Sequence, residues 1–142
     1  MKATCSPPTH STYHEGLLLF AHLLMNADGF VDERELKALE EIRQEENIPE
    51  ITFAAFQETI TKKTEKDLYH YGIDLLNKCS DQERLSALVH LYNLSESDSS
   101  IHPREVRLLL YSLKRTDVDF DEIELTARQV RARKGMPFEP LN

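Results

Sequence analysis

From Gly16 to Met25 the chain is an almost unbroken apolar run in which His22 is the one polar side chain. No stretch alternates apolar and polar positions with period two, and glycine is scarce, so strands are not expected. A run this apolar predicts a helix over 13–26 that is buried on most sides, ended near Gly29. The later polar punctuation marks helix starts. Asp32 with Glu35 forms a capping-box pattern for a second helix, to residue 46. Pro49 opens a third, through Phe53 and Phe56, to residue 62. Thr64 with Asp67 starts a fourth, to residue 79, and Ser80 with Glu83 a fifth, to residue 94. Pro103 suits the first turn of a sixth, to residue 114, and Asp119 with Glu122 a seventh, ending before Gly135. The expected fold is therefore all-α, a single domain of about seven helices over 13–134. Residues 1–12 and 135–142 read as tails, with Phe138 able to dock.

The pattern also repeats. LLLFAHLLMNADGFVDERELKALEEI, from Leu17 to Ile42, is echoed by LSALVHLYNLSESDSSIHPREVRLLLYSL, from Leu85 to Leu113. Each copy has an apolar helix with one histidine, His22 or His90, then an acidic loop, then a glutamate in the next helix, Glu35 or Glu105. Glu35 to Ile48 and Glu105 to Val118 both span 13 positions, while the loops differ in length by two residues. Two such hairpins predict an internal pseudo-two-fold, with the fourth helix as connector and the acidic loops as counterparts. Clustered carboxylates are costly without a cation or basic group among them. A divalent, calcium-like cation held by Asp28, Glu35, Glu96, Asp98 and Glu105 is the candidate site. The first loop matches only the back half of an EF-hand. Leu24 stands where the first aspartate belongs, followed by Asn26, so this loop cannot wrap calcium alone. Asp28, and Glu96 with Asp98, sit where a helix ends, a mildly unfavourable place for an anion. Capping and turn chemistry account equally for Glu35, Glu105 and Asp28-Gly29.

Bulk numbers set the class. The 142 residues are 40% hydrophobic and 30% charged, with a net charge of −8 and a pI near 5.2. That charge disfavours nonspecific nucleic-acid binding. Arg128, Arg131, Arg133 and Lys134 make one basic patch, explained by the expected end of the last helix. Cys5 and Cys79 have no convincing pairing, the N-terminus lacks a signal-peptide core, and the apolar run is too short to span a bilayer. A cytoplasmic location without membrane insertion is the expectation. His22 and His90 are expected as core histidines with hydrogen-bond partners, and Phe53, Phe56, Tyr69 and Tyr71 as core aromatics. Asp67 and His70 make a single acidic-x-x-His, short of a di-iron set. The run Glu40-Glu41 and Glu45-Glu46 reads as a solvated helix face or an acidic docking surface for a basic partner. No phosphate loop or nucleophile elbow is present.

The apolar helix, Ala27-Asp28-Gly29, the aliphatic Val31 and Glu35 opening the next helix resemble the TerB-like tellurite-resistance family. The DjlA N-terminal domain belongs to the same group. The resemblance spans about residues 14–134. It implies an all-helical, non-enzymatic stress-response module that holds metal at paired acidic loops and docks a partner protein, including a membrane component. Asp28, Glu35 and Glu105 match the family positions. Ser95-Glu96-Ser97-Asp98 departs from them, with Glu96 or Asp98 as the replacement or the second half-site lost. The alternative is a plain helical adaptor whose loops are only caps and turns.

Overall fold

A computed structural model describes residues 8–25, 33–97, 101–113 and 120–135. Among them are seven helices and no strand: α1 (Pro8–Met25), α2 (Glu33–Glu46), α3 (Glu50–Lys62), α4 (Glu65–Asn77), α5 (Asp81–Ser97), α6 (Pro103–Ser112) and α7 (Phe120–Gly135). The chain is thus all-α, as its punctuation predicts. Several starts carry the expected chemistry. Thr64 Oγ1 accepts from the Asp67 amide at 3.1 Å. Ser80 and Glu83 close a reciprocal capping box, at 3.1 and 3.0 Å. Pro103 occupies the first turn of α6, where the His102 ring accepts from the Arg104 amide. The caps expected at Asp32 and Asp119 lie outside the described residues, as do 1–7 and 136–142. Helix α1 begins at Pro8 rather than Tyr13. Proline is tolerated at a first helical turn, where its missing N–H has no intrahelical partner to lose.

Helix α1 is the axis of the core. Leu17, Leu18, Leu19, Phe20, Ala21 and His22 are all buried, on every face of the helix. It packs on α2, α3, α4 and α5, while α5 packs on α6 and α7. The two apolar helices therefore each carry two followers, as the repeat predicts in outline. The expectation of α4 as a mere connector needs correction, because α1 makes its most extensive contact with α4. Two glycines permit that closeness. A Cβ on Gly72 would lie 2.6 Å from Cε2 of Phe20, and one on Gly16 2.9 Å from Cδ2 of Leu76. Phe20 is buried and meets Tyr69 edge-on at 5.6 Å, so its ring cannot simply swing away. Gly72→Ala gains up to about 1 kcal/mol of helix propensity but overpacks this contact by about 1–3 kcal/mol. The expected result is a lower midpoint in urea denaturation. A raised midpoint would mean that α1 and α4 separate freely.

The turn after α2 sets the angle at which its acidic end meets α5. Asn47 adopts a left-handed φ of 55°, and the Ile48 amide reaches back to the Arg43 carbonyl at 3.0 Å. That is a Schellman closure, with Ile48 buried as its apolar anchor. The Arg43 guanidinium adds a bond from Nε to the Ile48 carbonyl at 3.1 Å and lies over the Phe53 ring.

Candidate functional site

Asp28 and Asp98 lie outside the described residues. The other three proposed ligands point to three different places. Glu35 is fully buried, and its Oε2 stands 2.5 Å from Nδ1 of His22, also fully buried. Glu96 faces Arg131 of α7 at 3.5 Å. Glu105 lines an apolar groove of about 550 Å³ between α1, α4 and α6, beside Phe20, Leu24, Tyr69 and Leu108. Among the described residues, no group of three or more His, Cys, Asp or Glu side chains is placed to hold a metal ion.

The His22–Glu35 contact explains why a glutamate in the first turn of α2 is not at the surface. It joins the end of α1 to the start of α2 across the segment 26–32. The imidazole also meets Phe56 edge-on at 6.2 Å, so three helices converge on it. His22 is therefore a core histidine with a partner, as expected. In the second copy the equivalent pair, His90 with Glu105, does not form. His90 turns to the other end of α2 instead: Nε2 lies 2.7 Å from Glu46 Oε2 and Nδ1 3.4 Å from Glu45 Oε1. The two repeat histidines thus hold α2 at its two ends.

Glu46 is the hub of a polar network joining α1, α2 and α5. Tyr13 donates its hydroxyl to Glu46 Oε2 at 2.7 Å, and Ser86 Oγ lies 2.9 Å from the same hydroxyl. The His90 hydrogen bond, ahead of the opposing cost of burial, draws the Glu46 carboxyl down to about 2. Burial pushes the Tyr13 phenol well above its usual range, so it stays a donor. The sign for stability follows. The folded carboxyl sits below its unfolded value, so its contribution is whole above pH about 4.5 and disappears as pH falls toward 2. The side chain keeps 21% of its surface in water, so about 1–2 kcal/mol is expected rather than the full value of the shift. Glu46→Gln should flatten the acid limb of a stability-against-pH profile by that amount. An unchanged acid limb would contradict the network.

Beside this network runs a cleft of about 440 Å³ between α2, α5 and α7. Its floor is apolar, with Ile42, Leu85, Val89, Leu94 and Val130. Its α2 rim carries Glu41 and Glu45, and His90 and Asn93 line it from α5. Tyr92 fixes α7 against α5 by donating to Glu124 at 3.0 Å and meeting Phe120 edge-on, and Arg107 stacks over Phe120 from α6. The walls of the cleft are therefore held by contacts outside it.

In the sequence only the acidic run Glu40-Glu41 and Glu45-Glu46 points to this site, as a solvated face or a docking surface, and nothing local names its partners. Glu45 and Glu46 fit a solvated helix face, and their partner His90 is 44 residues from Glu46. Phe53 and Phe56 are buried as expected, but Tyr69 is 37% exposed, which corrects its placement in the core, and Tyr71 is half-buried. Tyr69 bridges to Ser112 of α6 at 2.6 Å and lines the α1/α4/α6 groove. Cys79 is buried, with its thiol pushed up to about 11 by burial, and so is poorly reactive. Among the described residues no helix is long and apolar enough to cross a membrane. Comparison of the chain with known protein families, curated proteins and solved structures finds no match in any of the three.

Proposed function

We propose that the protein is a non-catalytic, TerB-like helical module that docks a partner protein in the cleft between α2, α5 and α7. The observation that carries this reading is the cleft itself: an open apolar floor rimmed on one side by Glu41 and Glu45. Ligand sites are characteristically concave and mostly apolar, with a few polar groups at the edge. We also propose a stress-response role, which rests on the sequence resemblance alone, and a cytoplasmic location, which rests on the two cysteines without a convincing pairing. Of the five ligands expected for a cation at the loops, Glu35 is engaged by His22, Glu96 by Arg131, and Glu105 lines the α1/α4/α6 groove, while Asp28 and Asp98 lie outside the described residues.

An enzyme is the reading the same cleft invites, since it places a histidine, a serine and two carboxylates together, with Glu46 beside them. The geometry argues against it. Both nitrogens of His90 face carboxylates, and Ser86 contacts Glu46 and Tyr13. A carboxyl held near 2 is a weak proton carrier at neutral pH, where general acid–base catalysis needs a group that titrates nearby. A photo-cross-linking amino acid at Ser97, on the cleft, and at Glu58, on exposed α3, tests the docking reading in the cell of origin. A discrete protein adduct from position 97 and none from 58 is expected. No adduct, or the same adduct from both, would overturn it.

A further inference from the structure

We propose that the occupant of this cleft is an amphipathic helix of a partner protein carrying two cationic side chains one turn apart, seated against Glu41 and Glu45. The inference rests on the docking reading above and adds the chemistry of the partner. Glu41 and Glu45 are four positions apart on α2, so their carboxylates recur along one face at about 6 Å. Lysine or arginine at i and i+4 of a helix laid alongside matches that interval. The apolar floor lies beside this rim and is shared by three helices, with Ile42 from α2, Val89 and Leu94 from α5 and Val130 from α7. Helix-in-groove partners insert apolar residues at i, i+3, i+4 and i+7 into such a strip.

Charge selects among occupants. Arg131, the one arginine lining the cleft, faces Glu96, and its α7 neighbour Arg128 faces Glu124. The lining carries Glu41 and Glu45, the latter also beside His90, against Arg131, so its formal charges leave one negative charge in excess among the described residues. Asn93 adds an acceptor there: its Oδ1 is buried and has no hydrogen-bond partner among the described residues. The chain as a whole carries −8, which steers cationic partners toward it. An acidic helix would meet repulsion along the whole α2 rim. A neutral apolar helix would desolvate Glu41 and the His90-bound Glu45 without bringing either a cation, which buried charge does not tolerate well.

The test uses the full chain and a fluorescently labelled model helix of roughly 18 residues, about five turns, with leucines on one face and lysines on the other. Its affinity is read by anisotropy at low and physiological ionic strength, beside versions with glutamine or glutamate in place of lysine. The lysine helix is expected to bind about ten-fold more tightly than the glutamine helix, and to weaken as salt rises. The double variant E41K/E45K should lose about ten-fold of that affinity. The variant E58K/E65K, with the same change of net charge at exposed positions of α3 and α4, should retain it. Equal loss in both variants would show attraction to bulk charge and overturn the inference. So would equal binding of the lysine and glutamine helices in the cleft, an outcome that leaves the docking reading standing. Sedimentation showing that two copies of the chain close this face on each other, without added helix, would overturn it as well.

Discussion

His22→Ala is expected to remove about 3–5 kcal/mol of unfolding free energy, read as the shift in a urea transition. The imidazole and the Glu35 carboxyl are both fully buried and stand 2.5 Å apart. Removing one partner strands the other in a medium that solvates charge poorly, and the desolvation already spent on the pair is no longer offset. The ring also fills space against Phe56, so alanine leaves a void as well. Replacing both groups, as in H22L/E35L, should recover most of the loss, because a well-packed apolar pair of similar volume needs no hydrogen bond. A single variant as stable as the native chain would mean that the two helices are not joined there. A double variant worse than either single would mean that Glu35 has a further role in the core.

Arg84→Met is expected to cost about 2–4 kcal/mol, from lost charge-assisted hydrogen bonds and a stripped helix end. The side chain is buried, and Nη1 donates to the carbonyls of Leu76, Asn77 and Cys79 at 3.2, 3.3 and 2.5 Å. Nη2 pairs with Asp81. Leu76 and Asn77 end α4 and Cys79 follows its cap, so these carbonyls lie where the helix leaves its last acceptors without intrahelical donors. One guanidinium thus closes α4 and fixes the start of α5. The planar fork reaches several acceptors at once, whereas a lysine offers a single point charge. Arg84→Lys should therefore recover only a minor part of the loss. Full recovery by lysine would reduce the role of Arg84 to charge alone. Hydrogen exchange should show the damage in the last turn of α4 and the first turn of α5.

The helices were legible because their signals are local. Ser80 with Glu83, Thr64 before α4 and Pro103 in α6 act on backbone groups within a turn, and each does so in the structure. The buried character of α1 was legible from composition, since a helix apolar on all sides must be surrounded. The rank of α4 was not. It depends on Gly16 and Gly72 meeting Leu76 and Phe20 across the α1/α4 contact, and glycine inside a helix looks like a weakness until its neighbour is known. The candidate site was legible only in part. Glu35 and His22 were singled out separately, and a spacing of 13 residues across a loop does not announce that they touch. Glu45 and Glu46 lie on α2 and His90 on α5, so the charge pattern fits a solvated face or a docking surface without naming His90 as the partner. The repeat gives the two histidines equivalent places, yet packing sends His22 to the start of α2 and His90 to its far end.

Amide shift mapping tests the central claim most directly. The isotopically labelled chain is titrated with the unlabelled leucine–lysine helix, and the perturbed amides are placed on the structure. The account predicts changes gathered on Ile42, Leu85, Val89, Asn93 and Val130, with Leu23 and Leu108 of the opposite groove unmoved. Changes confined to the groove between α1, α4 and α6, or scattered over every acidic surface, would contradict it.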